Sequence, residues 1–186
     1  MKRLLYTVAC SLLAGNMMAQ SQVPGYPITP VPFTSVKVGE GFWGLRLTAC
    51  REVPSPLAFT KCEETGRYTN FSNAHKHLMD PTQEFPDKGW TFTFDDTDPY
   101  KTIEGASYVL QTYPDKKLKA YIDSVLDIIA PAQEADGYLY TARTQNTKHP
   151  HFWAGDKRWS KEEDLSHELY NLGHMVEGAV AHWQAT

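Results

Sequence analysis

Two histidines, a tyrosine and an asparagine recur along one segment, and their spacing limits the chemistry open to them. In residues 166–186 (SHELYNLGHMVEGAVAHWQAT), His167, Tyr170, Asn171, His174 and Gly178 follow one another at steps of one to four residues. At about 100° per residue these positions gather on one side of an α-helix. A water-facing stripe is normally built from Lys, Glu, Arg and Gln. Imidazole, phenol and amide groups beside a small glycine instead suit a helix face that lines a polar pocket. The other reading is an ordinary amphipathic helix whose outer face is rich in histidine. A zinc-protease reading of His167-Glu168 fails on spacing. That chemistry needs its second histidine at i+4, whereas His174 stands at i+7, roughly 10 Å further along the axis.

The elements that must position this stripe can be read from the rest of the pattern. On nearly the opposite side of the same helix, Leu165, Leu169, Leu172, Val176, Val180 and Trp183 form an apolar stripe expected to grip neighbouring helices. Upstream, Asp98 before Pro99 predicts a helix start with Asp98 as N-cap, and Pro114 stops that helix after Tyr113. A second helix starts near Asp115, with Leu118, Tyr121, Ile122, Val125, Ile128 and Ile129 on its apolar face, and Pro131 ends it. The short link makes the two a helical hairpin. Residues 56–66 predict a short helix closed by Gly66. Residues 69–74 read as loop. Alternation at 33–38, and of Trp90, Phe92 and Phe94 against threonines, predicts two short extended segments. Residues 141–162, with His151, Phe152, Trp153 and Trp159, read as a long irregular loop over the mouth of a site.

Composition bounds the function classes. A formal charge of -4 leaves no basic footprint for nucleic acid. Residues 1–20 have the build of a secretory signal: Lys2 and Arg3, an apolar centre from Leu4 to Leu13, and Ala19 near the cleavage point. The apolar run is too short to span a bilayer, so export, to the periplasm or out of the cell, is the expected localisation. Residues 21–32 are a Pro-rich extended leader. Beyond the signal only Cys50 and Cys62 remain, either paired or as two buried free thiols.

Three stretches then carry a resemblance: CEETGRYTNF at 62–71, DDTDPYKTIEGASY at 95–108 and DLSHELYNLGHMVEGAVAHWQAT at 164–186, supported by GFWGLR at 41–46 and DGYLYT at 136–141. In order and spacing they resemble the β-L-arabinofuranosidases of glycoside hydrolase family 127, close to family 146. The resemblance covers residues 33–186. It implies a mainly α fold, the N-terminal portion of an (α/α)6 toroid, preceded here by a short N-terminal β segment. It also implies retaining hydrolysis of terminal β-L-arabinofuranosides in arabinose-containing oligosaccharides or polysaccharides. The family uses a glutamate acid/base and a cysteine nucleophile bound to zinc, where other retaining glycosidases place two carboxylates about 5 Å apart. Those catalytic and metal residues lie beyond Thr186 in the family. No catalytic or metal residue is therefore assigned in this chain, and the fragment alone is expected to be inactive and metal-free. What carries over is sugar contact, with His174 first, His167 second, and Tyr170, Asn171, Asp96 and Asp98 around them. Capping is the competing role for Asp98, and an ion-pair network is the expected role of Glu63, Glu64 and Arg67. Pro99 and Pro131 depart from the family pattern, which favours helix formers there. Two other readings stay open: a glycan-binding toroid without catalysis, and another toroid enzyme such as a lyase or epimerase.

Overall fold

The structure, a computed structural model, describes residues 27–29, 31–85 and 92–186. The signal-like segment, most of the Pro-rich leader and Trp90 lie outside them. The chain divides into two units at Lys37/Val38. In the first, Phe33–Ser35 forms a single 3-10 turn. The expected N-terminal β segment is absent: among the described residues there is no strand. The reason is physical. Ser35 to Val38 are all exposed, and a strand without a ladder partner is not stable alone.

The second unit is helical: α1 (Phe42–Glu52), α2 (Pro54–Glu64), α3 (Arg67–Met79), α4 (Thr97–Thr112), α5 (Lys116–Ile129), the short α6 (Thr141–Thr144) and α7 (Glu168–Ala185). Gly66 adopts φ 76°, the left-handed corner between α2 and α3 that its sequence position predicted. Asp115 caps α5, its carboxylate accepting from the backbone N–H groups of Lys117 and Leu118 at 2.8 and 3.1 Å. Pro131 follows the end of α5 within a 3-10 turn, Ala130–Ala132. No helix among the described residues is long and apolar enough to cross a membrane.

Three sequence expectations are corrected. Residues 69–74 are not loop but the body of α3. Tyr68, Phe71 and Ala74 step along its buried side, and that burial outweighs the poor helix propensity of Thr69, Asn70, Ser72 and Asn73. Phe92 precedes, and Phe94 sits in, a run of turns rather than a strand. Helix α4 starts at Thr97, so Asp98 lies in its first turn and caps nothing.

Side chains from α2 to α5 make the main core, centred on Phe59, Phe71, Tyr100, Ile103, Ile122 and Val125. Helices α4 and α7 form the most extensive helix pair, and here the sequence expectation is reversed. The side of α7 buried against its neighbours carries Glu168, Asn171, Gly178 and Ala181. The aliphatic stripe is bare, with Leu169 58% and Trp183 73% exposed and Val176 and Val180 about half exposed. Small residues decide this choice. A Cβ on Gly178 would stand 2.8 Å from the backbone oxygen of Tyr100, so only glycine lets the two helices approach so closely. Gly178→Ala must push backbone, not a flexible side chain, and a loss of about 1–3 kcal/mol is expected. Denaturant unfolding of the intact protein measures it; an unchanged midpoint would contradict the close crossing.

Candidate functional site

The start of α7 is held by side chains from three separate segments. Glu162, in the preceding loop, accepts from the backbone N–H groups of Glu168 (2.8 Å) and Leu169 (3.2 Å) and from the Ser166 hydroxyl (2.5 Å). Its carboxylate thus satisfies donors that a helix N-terminus leaves open and sits favourably on the helix dipole. Glu168 is buried: it accepts from the Tyr138 hydroxyl and from Trp159 N–H at 2.6 Å. Burial pushes its carboxyl up, against the pull of these two donors. Its pairing is complete within the protein, which is the pattern of a structural carboxylate.

Between these anchors lies His167, whose backbone is left-handed at φ 57°. A β-carbon makes that conformation costly, and such residues concentrate at binding sites. The ring Nδ1 lies 2.8 Å from the Leu165 carbonyl. A carbonyl only accepts, so Nδ1 carries the proton on this contact. Thr93 Oγ1 donates to the same carbonyl at 2.5 Å and lies 3.5 Å from Nδ1. Phe94 and Tyr170 meet the imidazole edge to face at 5.2 and 5.8 Å. Asn171 locks the turn from beneath, its Nδ2 donating to Thr93 O (2.9 Å) and His167 O (2.6 Å). No partner among the described residues takes the other ring nitrogen, Nε2.

The remaining sequence candidates spread out from this point. Tyr170 is partly exposed, and its hydroxyl accepts from Lys101 Nζ at 2.6 Å. His174 stands edge-on to the Tyr170 ring at 4.6 Å. Its Nδ1 is 2.9 Å from Glu177 Oε2 but outside hydrogen-bonding geometry. Asn171 is fully buried. Asp98 turns to Arg67 Nε at 2.9 Å, while Arg67 Nη1 reaches Asp95 at 3.0 Å. Arg67 therefore pairs across to the α4 corner, and the expected network with Glu63 and Glu64 is not formed. Glu63 instead accepts from Tyr121 OH at 2.5 Å, and Glu64 pairs with Lys61.

Asp96 is wholly buried and faces Thr141, accepting from its N–H at 2.7 Å and its hydroxyl at 2.5 Å. Burial pushes its carboxyl up to about 6 despite those bonds. The folded protein then holds this proton more tightly than the unfolded chain, whose aspartates titrate near ~3.9. The contribution of Asp96 is full below about pH 4 and is lost as pH rises through 6, a change on the order of 3 kcal/mol. Asp96→Asn removes the titration and keeps an acceptor for Thr141. Unfolding free energies at pH 4 and pH 7 are expected to fall less with pH in the variant than in the wild type. Equal slopes would contradict the assignment.

The described residues do not fit a thiolate zinc centre. Cys50 is exposed and Cys62 buried, both thiols free. Cys62 lies against Thr102, and burial pushes its thiol up. The group of potential ligands that does converge is Glu104, His174 and Glu177, with donor atoms within 4.8 Å of one another, and it contains no cysteine. A larger hollow of about 900 Å³ opens between α2, α4 and α5 beside Phe59, Glu63 and Tyr121; no residue of the histidine stripe lines it. Sequence reasoning passed over Thr93 and Glu162. Both act through space on a turn whose left-handed residue no local pattern announces.

Comparison with known proteins bears on this arrangement. A non-reducing end beta-L-arabinofuranosidase of Bifidobacterium longum subsp. longum is 40% identical over 115 residues, 62% of this chain and 17% of that protein. The solved structure of a GH127 beta-arabinofuranosidase superposes with TM-score 0.77 at 68% identity, covering 87% of this chain and 25% of that one. A GH127 beta-L-arabinofuranosidase from Geobacillus stearothermophilus T6 gives TM-score 0.67 at 28% identity, over 81% of this chain and 22% of that one. The chain thus spans a quarter or less of the length of these relatives. Residues 35–186 match the family described as "Beta-L-arabinofuranosidase, GH127 catalytic domain", and this chain belongs to that family.

Proposed function

We propose that these residues form the N-terminal part of the catalytic domain of an exported, retaining glycoside hydrolase that removes terminal β-L-arabinofuranose from arabinose-containing glycans. In this reading the 33–186 region is one portion of an (α/α)6 toroid. The bare aliphatic stripe of α7 supports that, because a helix of such a ring buries faces on both sides and this chain covers only one of them. The acid/base glutamate and the zinc-bound cysteine belong to sequence outside these 186 residues, where zinc would hold the nucleophile as thiolate. The 1–20 segment directs export.

Sugar contact is the role we assign here, to His167 first and His174 second. The observation that carries it is the strained His167 turn, fixed by Leu165 O, Thr93 and Asn171, with Nε2 left without a partner among the described residues. A ring so fixed offers Nε2 to a furanose hydroxyl without paying to order itself at binding. Tyr170 borders the same place. Asn171 acts on the sugar only through the turn it ties, and Asp96 and Asp98 support the corner from behind.

Incubating the full-length protein with methyl β-L-arabinofuranoside tests the reaction class. Free arabinose is the expected product. Binding without turnover would assign a glycan-binding protein, and an intact, unbound glycoside would contradict the hydrolase reading.

A further inference from the structure

One surface next to His167 is left unused by that reading. The loop after α6 sets Phe152 71% exposed beside Trp153, with the ring centroids 4.9 Å apart. Trp153 in turn lies 6.4 Å from Phe92 with planes inclined by 28°. Phe92 stacks on Phe94 at 5.1 Å and 9°, and Phe94 is the ring that touches His167 at 5.2 Å. An unbroken row of rings thus runs outward from the imidazole. At its far end a hollow of about 350 Å³ is lined by Phe152, Trp153, Lys161, Asp164 and Leu165. Leu165 joins the two places: it borders the hollow, and its carbonyl fixes His167 Nδ1.

The loop that presents Phe152 is firmly built. His151 N donates to Ala142 O at 3.0 Å, and Ala154 N donates to His151 O at 2.7 Å. Arg143 donates to the carbonyls of Gly155 and Asp156, both at 2.8 Å. The platform is therefore preformed. Its volume falls at the small end of the ~300–1,000 Å³ usual for ligand sites, and is shaped for one ring rather than a chain. Lys161 and Asp164, 3.3 Å apart at its rim, offer a donor and an acceptor beside the flat apolar faces. That pairing matches a sugar ring, which is apolar on its C–H faces and polar at its edge.

We infer that the Phe152–Trp153 hollow is the subsite for the leaving-group sugar, the residue to which the terminal arabinofuranose is attached. This rests on the proposed hydrolase reading and deepens it: the imidazole holds the sugar that is cut off, and the ring row holds the sugar left behind.

Two substrates separate the possibilities in the full-length protein: methyl β-L-arabinofuranoside, whose leaving group is too small to reach the platform, and a β-L-arabinofuranosyl disaccharide. Phe152→Ala removes an exposed ring and leaves the packing of the loop intact; Trp153→Ala is the stronger but more invasive change. For both variants kcat/KM on the disaccharide is expected to fall about 10-fold or more, with less than a 3-fold change on the methyl glycoside. Equal losses on both substrates, or no loss on either, would overturn the subsite. A fall in Tm with Phe152→Ala and equal losses on both would also overturn it, showing the rings packed beneath another part of the protein. If the wild type hydrolyses neither substrate, the hydrolase reading fails first and the subsite with it.

Discussion

Replacing Arg67 with methionine is expected to destabilise the protein by about 3–5 kcal/mol at neutral pH, the cost of leaving a buried charge without its partner. Arg67 bridges Asp95 and Asp98 at 3.0 and 2.9 Å, and the Asp95 side chain is only 2% exposed. Burial already pushes the Asp95 carboxyl up, with the Phe92 N–H and Arg67 opposing it. Without the guanidinium the carboxyl rises further. The sign follows: the folded variant binds the Asp95 proton more tightly than the unfolded chain, so the deficit is largest at pH 7–8 and shrinks toward pH 4. Urea unfolding at both ends of that range checks it. A deficit that is small, or the same at both, would mean the pair is a surface contact of little weight. Because Asp95 also takes the Phe92 N–H at 3.0 Å, the same substitution is expected to loosen the 92–96 corner on which Thr93 and His167 depend.

His167→Ala is the second large effect, and it falls on turnover. In the full-length protein kcat/KM for an arabinofuranoside is expected to drop by about 10²-fold or more, the scale of removing one positioned hydrogen-bonding group from a reacting site. Stability should hardly move. Alanine at φ 57° carries a backbone cost similar to that of histidine, and His167→Gly relieves it. A His167→Gly variant that is as stable as the wild type yet catalytically crippled would separate sugar binding from folding. Equal damage to Tm and turnover would reduce His167 to a structural part. His174→Ala is the comparison: with its ring against Tyr170 and Glu177, it should lose less activity than His167→Ala.

Much of the architecture was legible in the residues. The α5 stripe, its start near Asp115, the Gly66 corner and the Pro131 stop each follow from local physics, and each stands where the pattern put it. The family was legible too, because long motifs in order carry more information than any periodicity. What sequence could not supply was which face of α7 meets α4. An apolar stripe says that a face needs covering, not which neighbour covers it, and the close approach at Gly178 settled the pairing in favour of the small, polar side. Helix α3 was missed because burial of Tyr68, Phe71 and Ala74 overrode weak propensities. The left-handed His167 and its through-space anchors Thr93 and Glu162 were invisible for another reason. They depend on segments some 74 and 5 residues away meeting at one turn.

The most direct measurement is a crystal structure of the full-length protein with L-arabinose bound. A furanose hydroxyl is expected within hydrogen-bonding distance of His167 Nε2, while Nδ1 stays on the Leu165 carbonyl. Arabinose bound elsewhere, with the His167 ring in contact only with solvent or protein, would contradict it.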